Sequence, residues 1–308
     1  MKSFKYPNKK PNLSRAHLVW MLLMVGFVFG IWAPQSAHAQ ERRIIDVHHH
    51  ALSLDALPAH FDTIAGYERP QSVLELRNRS IDQLERFNIV KAITSGDPKL
   101  VKNYKKNAPD RIVKGLWIPI GLTGDTLNRY LKSLPKGYRQ DKFEVIGEVL
   151  SLYSGITPDD PILEPMWAFA EKENIPVGIH IGPTFNNPSG HTPLKMKEVL
   201  EKHPDLRVYV MHAGYPKIED MIKLMSEYPQ VYVDLAGMLF FIPHEKSHQY
   251  LKRLVDAGFA NRIMFGSDQQ VWPQSIEESI RVIETADFFT EEQKQDIFYD
   301  NAARFFGI

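Results

Sequence analysis

Short apolar runs alternate with amphipathic stretches along most of the chain. Eight runs consist mainly of aliphatic and β-branched residues with few charges, which is typical of strands buried on both faces. They span residues 44–47, 89–94, 113–118, 143–149, 175–181, 208–211, 231–235 and 263–265. Between them, hydrophobic residues recur with helical spacing, most clearly in 72–87, 161–173, 193–202, 217–228, 244–257 and 273–286. This alternation predicts parallel strands joined by helices.

The number and spacing of these units indicate the fold class. Eight strand–helix units at roughly 30-residue spacing fit an α/β fold of the closed (β/α)8 TIM-barrel type. No Gly/Ser-rich linker or change of composition divides residues 40–308, so we expect one domain there. The longest connection, about residues 51–88, follows the first run, and long loops in barrels usually form a wall of the active site.

The N-terminal segment predicts export. Residues 1–39 combine a basic start, an apolar run over 18–32 and the small-x-small sequence Ala37-His38-Ala39, as in a secretory signal peptide. An uncleaved membrane anchor is the alternative, but the run is shorter than the ~20 residues that span a bilayer. We therefore expect cleavage before Gln40 and no stable membrane anchor afterwards. The mature protein would be periplasmic in a Gram-negative bacterium and extracellular otherwise.

Composition narrows the classes of partner. The chain has 37 Lys and Arg against 37 Asp and Glu, and five of the basic residues lie in 1–39. The expected mature chain therefore has 32 basic and 37 acidic residues, a formal charge of −5, which argues against nucleic acid as a partner. The absence of cysteine excludes disulfides and a lipid-anchored lipoprotein. A homo-oligomer is compatible with these features, but none of them locates an interface.

The first predicted strand carries the strongest candidate chemistry. In the sequence Asp46-Val47-His48-His49-His50, side chains alternate faces, so Asp46, His48 and His50 share one face and His49 points away. Two imidazoles at this spacing can bind one metal ion, although the pair alone is a weak signal. Asp46 lies deeper and could orient a ligand.

Three further residues strengthen this signal. His180 lies near the end of the fifth run, His212 directly follows the sixth, and Asp268 comes just after the eighth. In a barrel of this class the carboxyl ends of the strands share one rim, where the active site lies. Imidazole and carboxylate together suit Zn²⁺ and related divalent ions. We therefore expect a site for one or two metal ions, most simply Zn²⁺.

The arrangement resembles the metal-dependent amidohydrolase superfamily, and most closely the amidohydrolase-related branch that includes aminocarboxymuconate-semialdehyde-decarboxylase-like proteins. The motifs are Asp-x-His-x-His at 46–50, His180, His-Ala-Gly at 212–214, Gly-Ser-Asp at 266–268 and the C-terminal Asn-Ala-Ala-Arg-Phe-Phe at 301–306. The resemblance runs from Ile44 to the end of the chain. It implies His48, His50 and His180 as ligands of a first metal and Asp268 as ligand and general base. His212 would bind a second metal or contact the substrate.

Glu148, near the end of the fourth run, has two open interpretations. A glutamate on the fourth strand resembles the deoxyribonuclease-like branch, in which that carboxylate binds metal. A carbamylated lysine, used there by other members, is not expected because this strand end has no lysine. Alternatively, Glu148 hydrogen-bonds a ligand histidine or forms an ion pair nearby. Bridging would favour two metal ions about 3.5–4 Å apart.

The loops after the strands should shape a pocket for a small organic substrate. Aromatic and amide side chains in these loops are candidate substrate contacts. They are Trp117, Tyr153, Asn186, Gln270 and Trp272.

The predicted reaction is metal-dependent hydrolysis of an amide, ester or lactone, with Asp268 and His212 as catalytic residues. A non-oxidative decarboxylase built on the same ligands is the main alternative, and a basic clamp for a substrate carboxylate would favour it. A phosphoesterase has no supporting cluster of arginines at the predicted rim. A non-enzymatic binding protein is disfavoured by the full set of candidate ligands.

Overall fold

The computed structural model describes residues 42–184 and 187–308. All eight apolar runs form strands. The strands are β1 (Ile44–Ala51), β2 (Ile89–Gly96), β3 (Ile112–Ile118), β4 (Val145–Val149), β5 (Val177–His180), β6 (Val208–Met211), β7 (Val231–Asp234) and β8 (Ile263–Met264). The predicted signal peptide, residues 1–39, lies outside the described residues and stays a prediction. Within the described ranges, no helix is both long enough and apolar enough to cross a membrane.

The strands form one sheet that curls into a barrel. Each strand pairs in parallel with the next one in the chain, from β1 to β8. Two backbone hydrogen bonds then connect β1 with the segment that continues β8: Val47 N–H donates to Phe265 O (3.0 Å), and Asp268 N–H donates to His48 O (2.7 Å). The predicted single-domain (β/α)8 barrel is thereby confirmed.

Helices follow the strands around the outside of the barrel. The α-helices are α1 (His60–Ala65), α2 (Val73–Arg86), α3 (Pro98–Asn107), α4 (Gly124–Asp141), α5 (Glu164–Lys172), α6 (Lys197–Lys202), α7 (Ile218–Glu227), α8 (Met238–Phe241), α9 (His244–Asp256), α10 (Ser275–Glu284), α11 (Glu291–Gln295) and α12 (Asn301–Phe306). Single 3₁₀ turns span Ser151–Ser154, Pro161–Leu163, Pro193–Met196, His212–Gly214 and Ala260–Arg262, and a π-turn spans Asp296–Asp300. All six clearly predicted helices are present within a few residues.

Helices α3 and α4 were not among the six clearest predictions, for physical reasons. Helix α3 buries only Val101 and Tyr104, and lysines surround them. Helix α4 contains Pro135 and Gly137, which both weaken a helical pattern. The start of α3 is nevertheless well defined, because the Asp97 carboxylate accepts a hydrogen bond from the backbone N–H of Lys99 (2.8 Å).

An apolar plug fills the lower part of the barrel. Tyr209 lies fully buried across the interior, and its hydroxyl donates to Val47 O (3.2 Å). Gly178 leaves the space for this ring, since a Cβ there would come within 2.5 Å of it. Ile45, Val145 and other apolar residues complete the layer. Because the bottom is closed, the opposite end, where the strands finish, is where a ligand can enter.

Candidate metal centre and cavity

The carboxyl ends of five strands bring the predicted ligands together. Strand β1 supplies His48 and His50, β4 supplies Glu148, and His180 is the last residue of β5. His212 follows β6 directly, and Asp268 follows the short strand β8. All six side chains are buried at this one end of the barrel, at no more than 9% exposure.

The first group of ligand atoms comes from β1 and the β8 extension. The Nε2 atoms of His48 and His50 lie 3.2 Å apart. Asp268 Oδ1 lies 3.0 Å from His50 Nε2 and 3.8 Å from His48 Nε2. These three residues form one of the clusters whose ligand atoms are close enough to hold a metal ion.

The second group comes from β4, β5 and β6. Glu148 Oε1 lies 2.8 Å from His180 Nδ1 and 3.4 Å from His212 Nε2. The two ring nitrogens, His180 Nδ1 and His212 Nε2, lie 2.9 Å apart. These three residues form a separate candidate metal cluster. The structure thus groups His180 with Glu148 and His212, whereas the family resemblance implied that it joins His48 and His50.

Glu148 reaches both groups with its two oxygens. While Oε1 faces His180 and His212, Oε2 lies 3.6 Å from His48 Nε2 and 3.5 Å from His50 Nε2. One buried carboxylate therefore lies between the two clusters. This is the geometry that the bridging interpretation requires. The alternative hydrogen bond to a ligand histidine is also present, through His180.

The chemistry of the donor atoms fits a cation. His48 Nδ1 lies 3.1 Å from Asp234 Oδ2 and donates its proton there, so Nε2 is the ring atom that would offer a lone pair to a metal ion at the centre. Asp268 Oδ1 is buried, and although His50 Nε2 lies 3.0 Å away, the two groups are not aligned for a hydrogen bond. A buried carboxylate oxygen without a donor costs free energy unless a positive charge compensates it. Lone pairs and anionic oxygens that converge in this way suit a divalent metal ion.

The pKa values of the buried carboxylates also indicate that the site suits a cation. Burial raises the pKa of Glu148, but the charge of His48 and hydrogen bonds from His180 and His212 outweigh this and hold the pKa well below its ordinary value. For Asp268, burial is likewise outweighed by His48 and His50, so its pKa is lowered. Both carboxylates are therefore ionised at neutral pH. Burial lowers the pKa of His48, yet Asp234, Glu148 and Asp268 together raise it well above the ordinary value, and the same three carboxylates would favour a metal ion in place of the proton on Nε2.

Asp234 is a site residue that the sequence analysis missed. It ends β7, and its Oδ1 accepts hydrogen bonds from the backbone N–H groups of His212 (2.9 Å) and Ala236 (3.0 Å). Its Oδ2 accepts from His48 Nδ1, so one carboxylate orients ligands on β1 and after β6. An aspartate at the end of the seventh run was the signal that could have identified it.

The other two polar residues of the β1 motif, Asp46 and His49, form hydrogen bonds that support the site. Asp46 accepts hydrogen bonds from the backbone N–H and the hydroxyl of Ser267, and burial raises its pKa to about 6. His49 points away from the centre, as its position in the strand predicts. It donates from Nδ1 to Thr94 Oγ1 (3.0 Å) and accepts from Gln269 at Nε2 (3.3 Å). Burial lowers the pKa of His49 to about 3, so this ring is neutral.

The residues that follow β6 and β8 have a left-handed backbone conformation. His212, Ala213, Asp268 and Gln270 have φ values between 45° and 59°, which non-glycine residues rarely adopt. The surrounding bonds enforce them, as where Asp268 N–H donates to His48 O. Such backbone strain occurs preferentially at functional sites. Here it turns the chain sharply after each strand, so that His212 and Asp268 face the barrel axis.

A cavity of about 590 Å³ opens above these ligands. Its floor includes His50, Glu148, His180, His212 and Asp268, and the rest of its wall is largely apolar. Residues from the long connection after β1 form part of this wall, as expected from its length.

Only some of the predicted substrate contacts lie at the cavity. Trp117, Tyr153 and Gln270 line the cavity. The Trp272 ring is fully buried in a cluster beside the cavity, and its Nε1–H donates to Asp62 Oδ1 (2.8 Å). A position after a strand end does not reveal which way a side chain turns. Asn186 lies outside the described residues, so its role stays a prediction.

Comparison with known proteins identifies the family. The Amidohydrolase family model matches residues 45–308, and the chain therefore belongs to this family, in its amidohydrolase 2 branch. This confirms the resemblance inferred from the strand-end motifs, and it indicates an enzyme rather than a binding protein. The curated protein fluG of Emericella nidulans is 19% identical over 154 residues. The match covers 44% of this chain and 18% of that protein, so the chain spans under a fifth of the relative.

Solved structures share the barrel at low sequence identity. A probable 2-pyrone-4,6-dicarboxylic acid hydrolase from Acinetobacter baumannii is 16% identical with a TM-score of 0.61, covering 86% of this chain and 100% of that one. A 2,6-dihydroxybenzoate decarboxylase from Rhizobium is 16% identical with a TM-score of 0.57, covering 86% and 99%. At this identity the likeness extends to the fold alone, and the two named reactions differ.

The role of Asp234 can be tested by Asp234→Asn. The amide keeps the size but removes the charge that fixes the His48 proton on Nδ1. We expect the affinity for Zn²⁺ to fall by about 10–100-fold, as for other residues that orient metal ligands. Chelator competition measures it, with Asp110→Asn on the exposed surface as the control. An unchanged affinity would contradict the assignment.

A second prediction concerns the space beside Asp268. A Cβ on Gly237 would lie 2.9 Å from Asp268 Oδ2 and 3.2 Å from His212 Nδ1, so Gly237→Ala should displace both side chains. Gly258→Ala is the matched control, because Gly258 also has a positive φ but no atom within 4 Å of its Cβ position. We expect metal affinity to fall at least about tenfold in the first variant only. Equal affinities in the two variants would contradict the role of this contact.

Proposed function

We propose that this protein is a metal-dependent hydrolase that cleaves an amide, ester or lactone bond of a small organic substrate. The observation that carries the proposal is the position of Glu148, whose two oxygens face separate groups of histidines. A carboxylate shared between two sites is suited to a pair of divalent ions, for which Zn²⁺ fits the imidazole and carboxylate donors best.

The residues of the site can perform the steps of hydrolysis. A divalent ion bound here would supply a water molecule of lowered pKa and would polarise a carbonyl group. Asp268 is ionised and lies at the cavity floor, so it can accept a proton from the attacking water and return it to the leaving group. Gln270 Nε2 donates to Asp268 Oδ2 (3.3 Å) and so holds the carboxylate in orientation while Oδ1 faces the centre.

His212 has a complementary role in this proposal. Its Nδ1 donates to Ala236 O (2.8 Å), which leaves Nε2 to face His180 and Glu148. The ring is therefore fixed as a ligand or as a contact for the substrate oxygen. The largely apolar cavity above it would exclude water and strengthen these electrostatic interactions.

Decarboxylation is the second candidate reaction. His48, His50 and Asp268 form a complete group for one ion without Glu148, and Glu148 is already hydrogen-bonded by His180. A single-ion site of this kind would suit a non-oxidative decarboxylase acting on a carboxylate-bearing substrate. The decarboxylase from Rhizobium has the same fold. The number of bound ions distinguishes the two candidates.

The metal content gives the first test of the hydrolase. We expect elemental mass spectrometry of protein purified without chelator to find about two divalent ions per chain. Glu148→Gln removes the shared charge and should lower the content to about one or less. Glu144→Gln, just before β4 and exposed, is the matched control and should keep two. One ion in the unaltered protein would favour the decarboxylase instead.

A second test concerns the general base. Asp268→Asn should lower kcat for ester or lactone hydrolysis by about 10²–10⁴-fold, because the amide cannot accept the proton. Most of the metal should remain bound, since the other five ligands are unchanged. Steady-state hydrolysis of phenyl acetate and dihydrocoumarin, with metal content measured in parallel, provides the readout. Full activity in this variant would contradict the role of Asp268, and the exposed Asp287→Asn serves as the control.

A further inference from the structure

We propose that the substrate is a neutral molecule whose apolar part lies against the segment 52–61 of the loop after β1. This segment is called the apolar wall, and it contributes Leu52, Ala56, Leu57 and Phe61 to the cavity. The inference rests on the proposed hydrolase function and names the substrate class for the same site.

The apolar lining continues on both sides of the apolar wall. The segment after β7 contributes Met238, Phe241 and Ile242, and Phe241 packs in the same cluster as Leu57 and Phe61. Trp117 of β3 and Leu150, directly after β4, extend the apolar lining. A ring or alkyl group against this lining would gain about 25 cal/mol per Å² of apolar surface removed from water.

Away from the metal centre, the cavity offers no charged side chain. Apart from the candidate ligands of that centre, the described lining residues include no lysine, arginine, aspartate or glutamate. A carboxylate on the substrate, held away from the metal centre, would lose its hydration without gaining a positive partner from this wall. Such a substrate is therefore disfavoured unless its carboxylate occupies the metal centre itself.

Arg69, close to the apolar wall in sequence, stabilises this loop through an ion pair and hydrogen bonds. Its Nε and Nη2 donate to the two oxygens of Asp62 at 2.8 and 2.7 Å. Its Nη1 donates to Leu57 O (3.1 Å), so the guanidinium is bound inside the loop. Paired to a carboxylate in this way, it does not serve as a clamp for a substrate anion.

Trp272 connects the same carboxylate to the catalytic end of the barrel. The indole N–H donates to Asp62 Oδ1 (2.8 Å), and the backbone N–H of Trp272 donates to Gln269 O (2.7 Å), next to Asp268. Asp62 thus joins Arg69, the apolar wall and the segment that holds the general base. It is a positioning residue, since it does not line the cavity itself.

The substrate class is tested with two aryl esters of similar shape. We expect kcat/KM for para-tolyl acetate to exceed that for para-acetoxybenzoate by at least about 100-fold, after correction by their rates of hydrolysis by hydroxide. Calorimetry of the metal-loaded enzyme should also show tighter binding of para-cresol than of para-hydroxybenzoate. Equal or better use of the carboxylate ester would overturn the inference and leave the hydrolase intact. No cleavage of either ester, of dihydrocoumarin or of acetanilide would instead refute the proposed function.

The role of Asp62 is tested by Asp62→Asn. We expect KM for para-tolyl acetate to rise about tenfold, whereas kcat changes less than threefold and the metal content is unchanged. Asp82→Asn, exposed on α2, is the control and should behave as the unaltered enzyme. An unchanged KM, or an equal loss in kcat and metal content, would overturn the assignment of Asp62 as the residue that positions the apolar wall.

Discussion

The structure depends on one constraint, which is the burial of ionised carboxylates among imidazoles at the end of the barrel. Glu148 and Asp268 are almost completely buried and keep lowered pKa values because histidines surround them. Charges of this kind are stable inside a protein only when opposite charges and hydrogen bonds compensate them. Most features of the site, from the orientation of His48 to the strained backbone at Asp268, serve this compensation.

The barrel makes this arrangement possible because its interior has an apolar lower layer and an open upper cavity. Below the ligands, Tyr209 and the aliphatic residues of the plug exclude water and fix the strands. Above them, the loops leave a cavity with a polar floor and apolar sides. Asp234 links two strands across the floor, so the ligand positions depend on bonds within the rigid part of the fold. Sites on rigid elements keep the precise geometry that catalysis requires.

The sequence predicts much of this architecture because strand burial and strand-end chemistry both have local signals. The apolar runs identified all eight strands, and the residues that follow them gave the six candidate ligands that the fold brings together. Asp234 was missed because its role lies in contacts with β1 and with the turn after β6, which only the closed barrel creates. The direction of the Trp272 side chain could not be predicted for a similar reason. Its direction is set by a hydrogen bond to Asp62, 210 positions away in the chain.

The bonds of Asp62 have a consequence for how such an enzyme can change over evolution. The candidate metal ligands come from the ends of five of the eight strands, whereas the apolar wall and its support by Arg69 and Asp62 lie within one short stretch of chain. Substitutions in that stretch can alter what enters the cavity without disturbing a single ligand. New substrate preferences can therefore arise by changes in one loop while the chemistry is inherited unchanged. Trp272 constrains such changes, because its hydrogen bond to Asp62 connects the loop to the segment that carries Asp268.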